Sequence, residues 1–237
     1  MNDWYDIAGL SLALWLFGLP SLVAVLSYIF KSRLMPVFAL VWSVLDRLYM
    51  ASGLVAAVAM LSILVIIIWQ MIARWVGFTF EGSTEFAGYA MAATSFFALA
   101  HAFSRGAHIR VSIFLNLNGF TRFWLDVFAL FIGALTATYF ARYAVKTNFM
   151  SEMLNDRTQG QDQIPQLAVD IISLLGTSPA KWADTLSQSD GAWIYTPVWV
   201  PQLVMSVGTI LLAICLWDHL IRLLVTGQSA VKAEKIE

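Results

Sequence analysis

Two histidines near the ends of long apolar stretches are the residues best suited to bind a cofactor. His101 lies near the end of one uncharged run and His219 just beyond the end of another, and they fall at similar depth if both runs cross a membrane. A b-type haem needs such a pair on facing helices. Because bis-histidine membrane cytochromes usually hold more than one pair, we favour interfacial histidines and predict no cofactor. A visible absorption spectrum of the purified chain distinguishes the two readings, since a Soret band reports haem.

Residue patterns typical of other chemistry do not occur in the sequence. A single cysteine, Cys215, excludes a disulfide, a cysteine-ligated zinc site and an iron–sulfur cluster within the chain. Phosphate-binding loops, G-x-S-x-G and H-E-x-x-H motifs do not occur either. The centres of the uncharged runs hold only isolated glycines and hydroxyl side chains, which favour contacts between helices over a transport site. We therefore predict that the chain is not an enzyme and carries no complete transport pathway.

The composition of the chain is that of an integral membrane protein. Of 237 residues, 59% are hydrophobic and 12% are charged, and the mean hydropathy is +0.74. Soluble domains average about 25% charged residues. The net charge of −1 gives the chain no overall attraction to nucleic acid, so we predict no nucleic-acid partner.

Five segments are long and apolar enough to cross a bilayer, which takes about 20 helical residues. We predict an all-α fold with spans at 7–30, 48–73, 86–104, 123–145 and 191–217. The first span has an acidic start and no A-x-A cleavage site, which favours a retained helix with a kink at Pro20 over a signal peptide.

The distribution of Lys and Arg predicts the orientation. Segments 31–47, 105–122 and 220–237 together hold nine of the 14 basic residues, and the segments on the opposite side are longer. Basic residues accumulate on the cytoplasmic side of membrane proteins. The N-terminus, with Asp3 and Asp6 and no base, is therefore predicted outside and the C-terminus inside.

Further helices are predicted outside the spans. Segment 31–47 is apolar with charges near both ends, which is typical of a helix at the cytoplasmic interface. In the outer loop (residues 150–190), the pattern predicts a helix over Pro165–Leu175 that is ended by Gly176. Four residues of this surface helix form its apolar face, namely Leu167, Ile171, Ile172 and Leu175. A second short helix is predicted to begin after Ser178-Pro179.

Several short pieces occur in order along the chain. They are Leu45-Asp46-Arg47-Leu48, Trp69-Gln70-Met71-Ile72-Ala73-Arg74, Glu85 before the third span, Arg105-Gly106-Ala107-His108-Ile109-Arg110-Val111, and Thr196-Pro197-Val198-Trp199. On these pieces, 45–224 resembles the small membrane (Q) subunit of TRAP transporters, the tripartite ATP-independent periplasmic transporters. The sequence departs from the family pattern at Ser112, where an acid is usual, in its extra first helix and in its longer outer loop.

The resemblance implies three regions and a role. Residues 1–44 would hold the extra transmembrane helix and the interfacial helix, 45–224 the four-helix family core, and 225–237 a cytoplasmic tail. The implied role is a non-catalytic scaffold in a bacterial inner membrane. The implied partners are a large (M) subunit, which moves as an elevator and takes up organic acids such as carboxylates by symport with sodium, a periplasmic substrate-binding protein, and membrane lipids.

The resemblance also implies contact residues, each with a simpler alternative. Contacts with the large subunit or with lipid headgroups are implied for Arg74, Glu85, Arg105, His108, Arg110, Pro197 and Trp199. The alternatives are an acid stabilised at a helix N-terminus for Glu85, and a topology signal for the three basic residues of 105–110. Pro197 and Trp199 suit a helix start and an interface anchor. Two other functions stay open, a haem-binding anchor of a respiratory oxidoreductase that uses His101 and His219, and a free-standing membrane protein whose outer loop binds a partner.

Overall fold

Helices make up most of the part of the chain that the structure describes. The computed structural model describes residues 6–106, 118–187 and 191–227. The α-helices of this part are α1 (Leu19–Ile29), α2 (Lys31–Val76), α3 (Ser83–Ser104), α4 (Gly119–Met153), α5 (Gln166–Ser173), α6 (Trp182–Ser187) and α7 (Trp199–Thr226). Two small antiparallel pairs complete it, β1 (Asp6–Ile7) with β2 (Leu10–Ser11), and β3 (Gln163–Pro165) with β4 (Trp193–Tyr195).

Four helices of the described part are long and apolar enough to cross a membrane. They are Phe38–Val76 within α2, and α3, α4 and α7. The all-α membrane fold predicted from the sequence is thereby confirmed. The last span differs in its bounds, because residues 193–195 pair as strand β4 and α7 continues beyond Trp217 to Thr226.

The N-terminal helix is shorter than the uncharged run that contains it. Residues 6–11 form the β1–β2 pair, and a π-helical segment at Leu14–Gly18 leads into α1. Pro20 lies directly after this segment, so its missing N–H falls where the hydrogen bonds already depart from the regular α-helical pattern. The apolar helix Leu14–Ile29 has 16 residues and a length of about 24 Å, less than the roughly 30 Å of a hydrocarbon core. Its crossing of the membrane stays a prediction.

Helix α2 is longer than expected. The segment predicted as a separate interfacial helix, 31–47, and the following span form one α-helix from Lys31 to Val76. The physical reason is that Pro36, the one proline of this helix, lies near its start, where it interrupts little of the hydrogen-bonding pattern.

The chain divides into two compact units. The first comprises Met1–Leu54, Phe97–Arg142 and Val207–Glu237, and the second comprises Val55–Phe96 and Tyr143–Ser206. In the first unit small residues allow close packing of helices, as is typical of membrane proteins. Its buried cluster contains Ala24, Ala134, Ala137, Ala141, Ala213, Leu216, Trp217, Leu220 and Leu224. Within this cluster the Trp217 indole N–H donates to the Thr138 hydroxyl at 3.0 Å.

The second unit contains the outer loop and a sparsely covered part of α2. Only one stripe of this part is buried or half-buried, at Ala56, Ala59, Ser62, Ile63, Ile66, Gln70 and Ala73. The β3–β4 pair joins the start of the loop to its end, and α5 and α6 lie between the two strands. The helices predicted at 165–175 and after Ser178 are both present. Ser178 is the N-cap residue of the second, but its side chain makes no capping bond.

Candidate functional site

A partly buried ion cluster in the first unit connects α2 with α7. The Arg222 guanidinium donates from Nε to Asp218 Oδ2 at 3.0 Å and from Nη2 to Asp46 Oδ1 at 2.7 Å. It also lies 5.4 Å from the centre of the Trp42 ring. The Tyr49 hydroxyl donates to Asp218 Oδ2 at 3.2 Å. We call Trp42, Asp46, Tyr49, Asp218 and Arg222 the Arg222 cluster.

Burial makes this cluster energetically important. The Asp218 side chain is 4% exposed and Tyr49 is 1% exposed, so the Asp218 charge depends on its protein partners. A buried carboxylate without a partner is strongly unfavourable, whereas a paired one is tolerated. The cluster therefore fixes the register of α2 against α7.

The two histidines predicted as possible haem ligands lie on one cavity. His101 Nδ1 is 3.2 Å from the Tyr49 carbonyl oxygen, and His219 Nδ1 is 2.9 Å from the Cys215 carbonyl oxygen. Both rings line a cavity of about 310 Å³, the volume of about ten water molecules. Haem binding by these two histidines stays the alternative to the predicted interfacial histidines, and the absorption spectrum tests it.

The His101 ring packs directly against the backbone of α2. A Cβ atom built on Gly53 would lie 2.5 Å from His101 Cγ, closer than real Cβ contacts. One turn before His101 on α3, the Phe97 carbonyl oxygen accepts a hydrogen bond from the hydroxyl of Ser52, the residue next to Gly53. Glycine is therefore required where α3 crosses α2 in the first unit.

Replacing Gly53 with alanine is expected to destabilise the protein by about 1–3 kcal/mol, because the added methyl group must displace the His101 ring. The matched control is Gly88→Ala on α3, where a Cβ atom would meet no other atom within 4 Å. This control should be neutral or slightly stabilising, since alanine is the better helix former. Thermal unfolding in detergent measures both, and equal midpoints for the two variants would contradict the packing argument.

A second polar site holds the outer loop in the second unit. Asp162 is buried, and its two carboxylate oxygens accept hydrogen bonds from the Thr158 hydroxyl at 2.8 Å and the Tyr89 hydroxyl at 2.5 Å. Its carbonyl oxygen accepts from both the backbone N–H and the hydroxyl of Thr196, at 3.0 and 2.8 Å. We call Tyr89, Thr158, Asp162 and Thr196 the Asp162 clamp.

The start of α3 fits closely against this clamp. Gly82 has φ +75°, and a Cβ atom there would lie 2.8 Å from Asp162 Cα. Glu85, in the first turn of α3, accepts a hydrogen bond from the Gln161 backbone N–H at 3.3 Å. The position of Glu85 at a helix start agrees with the alternative given for it, and the structure adds a contact with the loop.

The pKa of Asp162 reflects these contacts. Burial by itself would raise this pKa, but the hydrogen bonds from Tyr89, Thr158 and Thr196 outweigh it, so that the pKa of Asp162 lies below its ordinary value of 3.8. The carboxylate is therefore charged at neutral pH and serves as a double acceptor.

The predicted basic residues lie apart from both sites or at their edges. Arg74 is exposed in the last turn of α2. Arg105 is exposed directly after α3 and lines the same cavity as the two histidines. His108 and Arg110 lie outside the described residues.

The last predicted piece forms the start of α7. Trp199 is the first residue of this helix, as expected for a helix start. Pro197 is fully buried, and its backbone forms an isolated antiparallel β-bridge with Arg157 of the outer loop. The Trp199 carbonyl oxygen accepts a hydrogen bond from the Asn148 side chain at 2.7 Å. Both residues therefore have structural contacts within the second unit.

The apolar face of α5 is open. Leu167 and Ile171 are 45% and 52% exposed, and Ile172 is half-buried. Leu175 lies in the short 3₁₀ turn that follows α5. Such a face in water is unfavourable, so a membrane or another protein is expected to cover it.

Sequence reasoning missed the acceptor and donor residues of both sites. Asp218 and Arg222 are spaced four residues apart, a signal for a helical ion pair, but the predicted span ended at Trp217. Asp162 is one of several acids in a polar loop, and its partner Tyr89 is 73 residues away along the chain. Local patterns carry no signal for that contact.

Comparison with known proteins identifies the family. The comparisons with curated proteins and with solved structures each gave no match. A family model described as "Tripartite ATP-independent periplasmic transporters, DctQ component" matches residues 63–178. The matched range includes the end of α2, all of α3 and α4, and the surface helix of the outer loop. The chain is thus a member of the DctQ family, the small membrane component of TRAP transporters.

Proposed function

We propose that this small TRAP subunit is a non-catalytic scaffold that supports the large elevator subunit in a binding-protein-dependent transporter for organic acids. The observation that carries the proposal is the exposure of α2. Apart from its single inward stripe, the part of α2 in the second unit presents large apolar side chains on its remaining faces. They include Val58, Met60, Leu61, Leu64, Val65, Ile68 and Met71. A lateral apolar surface of this kind suits a membrane partner and surrounding lipid.

The polar contacts support a static role. Within the first unit the Arg222 cluster ties α2 to α7, and the His101 and Ser52 contacts tie α2 to α3. Between Leu48 and Ala73 the helix holds no charged residue, so this span offers no step for a charged substrate. A moving domain needs a fixed wall, and these contacts would keep the wall rigid.

The outer loop would serve assembly. We propose that the apolar face of α5, with Leu167 and Ile171, packs on the outer surface of the large subunit. Its acids, including Asp184, remain available for a periplasmic binding protein with a basic rim. The Asp162 clamp supports this arrangement, because a loop that must present a fixed surface needs a fixed base.

Reconstitution tests the scaffold role. The chain alone in proteoliposomes is expected to give no sodium-dependent uptake of any organic acid, because its spans lack a substrate site. Addition of the large subunit and the binding protein should produce uptake. Uptake that increases with the amount of this chain alone would refute the proposal.

The proposed orientation has the N-terminus outside and the C-terminus in the cytoplasm of a bacterial inner membrane. Single cysteines at Asn2 and Gln228, in a chain whose Cys215 is replaced by alanine, should then react with an impermeant thiol reagent from opposite faces. Labelling of both from the cytoplasmic side would mean that the short helix before α2 does not cross.

A further inference from the structure

The cavity beside the Arg222 cluster is not used by the scaffold role. It has a volume of about 310 Å³ and lies wholly within the first unit. Among its lining residues are Asp46, Met50, His101, Arg105, His219 and Arg222. This volume lies at the lower end of the range of small-molecule sites. The side chains on its wall define which group fits.

The donors of the cavity are two guanidinium groups. Within the described ranges, the Arg105 guanidinium has no ion-pair or hydrogen-bond partner. Arg222 uses Nε and Nη2 for Asp218 and Asp46, and its Nη1 has no partner among the same residues. Guanidinium groups bind phosphate by paired N–H donors. The cavity therefore offers a phosphate two sets of donors.

The cavity is also lined by residues with acceptor atoms. Nδ1 of His101 and of His219 each faces a backbone carbonyl oxygen, which can only accept, so in the neutral imidazole Nδ1 donates and Nε2 is left as an acceptor. Asp46 is 57% exposed, and only its Oδ1 is bonded to Arg222. These acceptors suit a group with several N–H donors, such as a primary ammonium.

The charges favour a zwitterion over a simple anion. The two guanidinium groups of Arg105 and Arg222 are balanced by the carboxylates of Asp46 and Asp218. A net anion would gain little from a neutral set, whereas a ligand with one phosphate and one ammonium matches both signs.

The surface next to the cavity points to a lipid. Asp46, Met50 and Leu54 are spaced by four residues, so they follow one another along one face of α2. Met50 is 56% exposed and Leu54 is 67% exposed. A headgroup at Asp46 would thus have its acyl chains beside these apolar side chains. A soluble zwitterion would make no use of them.

We propose that this cavity binds the headgroup of a phosphatidylethanolamine lipid, with the phosphodiester on Arg105 and the ammonium on Asp46 and the two imidazole Nε2 atoms. Arg222 Nη1 supplies a further donor to the phosphate. The site goes beyond the scaffold role, since lipid binding by this chain does not depend on the large subunit.

Lipid retention by the full chain tests the site. The purified chain is loaded from equal mixtures of phosphatidylethanolamine, phosphatidylcholine and phosphatidylglycerol, and the retained lipids are counted by native mass spectrometry. We expect ethanolamine lipid to be retained about tenfold over the others, the factor that about 1.4 kcal/mol gives. Choline has no N–H donor, and the glycerol headgroup has no cation.

Variants separate the two halves of the headgroup. Arg105→Ala should reduce retention of the ethanolamine lipid about tenfold, and Arg105→Lys should reduce it less, because the charge remains and the fork is lost. Arg122→Ala removes an exposed arginine of α4 that does not line the cavity and should change nothing. Asp46→Asn should abolish the preference for ethanolamine over glycerol lipid, because the carboxylate charge that binds the ammonium is removed. The amide oxygen can still accept the hydrogen bond from Arg222, so the Arg222 cluster should be retained.

Three results would overturn the proposal. The first is equal retention of the three lipids by the wild-type chain. The second is that Arg105→Ala and Arg122→Ala change lipid retention equally. For this comparison Arg105→Gln is tested in addition, and circular dichroism checks that the variants keep their helix content. The third is displacement of the lipid by soluble O-phosphoethanolamine at equal concentration, which would assign the cavity to a soluble zwitterion.

Discussion

Replacing Arg222 with methionine is expected to lower the free energy of unfolding by roughly 3–5 kcal/mol, the cost of leaving a buried charge without its partner. Methionine keeps most of the length of the side chain, so the loss reports the charge and not a cavity. The Asp218 carboxylate would keep only the Tyr49 hydroxyl as a described donor, at 3.2 Å. Denaturation of the chain in mixed micelles measures the change.

A double-mutant cycle measures the interaction energy between Arg222 and Asp218. Asp218→Asn in the Arg222→Met background removes the unpaired charge and should recover more than half of the lost stability. Arg122→Met is the control, an exposed arginine on α4 whose loss should stay within about 0.5 kcal/mol. If the losses of unfolding free energy from Arg222→Met and Asp218→Asn simply add, the two side chains do not interact. The role given to the Arg222 cluster in holding α2 against α7 would then be wrong.

Replacing Asp162 with alanine is expected to free the outer loop. The change removes two hydrogen bonds to a charged acceptor, from Thr158 and Tyr89, and leaves both hydroxyl groups without that partner. Hydrogen bonds of this kind contribute about 1.5–3 kcal/mol each. A local loss of about 3 kcal/mol would speed proteolysis within the loop roughly 100-fold where opening and closing of the loop are fast relative to cleavage.

The control for this change is Asp184→Ala, which removes an exposed acid of α6 outside the clamp. It should leave the cleavage rate unchanged. Tyr89→Phe, which removes one of the two bonds, should give an intermediate rate. Equal cleavage of the Asp162→Ala and Asp184→Ala variants would contradict the clamp.

Acid should weaken the same contacts. Because the pKa of Asp162 in the folded chain lies below the ordinary value of 3.8, its charge stabilises the loop above that value. This contribution is lost as the pH falls from 3.8 through the lower folded pKa. Proteolysis by an acid-tolerant protease should therefore accelerate below pH 3.8 in the wild-type chain and less so in Asp162→Ala.

The parts of the fold that local patterns encode were predictable. The four core spans follow from uncharged runs of sufficient length, and the helix at 165–175 follows from the spacing of Leu167, Ile171 and Ile172. The position of Glu85 at the start of α3 follows from the preference of acids for helix N-termini.

The two polar sites depend on contacts between distant parts of the chain. Arg222 and Asp46 are 176 residues apart, and Asp162 and Thr196 are 34 residues apart. A single sequence does not distinguish the residues that form such pairs from other charged or hydroxyl residues. The absence of a break between 31–47 and the next span was also hard to foresee, because the charges of Asp46 and Arg47 resemble the end of a helix but do not interrupt one.

The unequal lengths of the spans bear on hydrophobic mismatch. Helix α3 has 22 residues, about 33 Å, while the uncharged run of α2 from Leu48 to Ala73 has 26 residues, about 39 Å. A long helix adapts to a thicker bilayer by changing its tilt, but a helix that only just spans has no length to spare. Thickening of the membrane would therefore act first on α3, and its N-terminal end at Gly82 lies against Asp162. The base of the outer loop would then respond to the thickness of the surrounding bilayer.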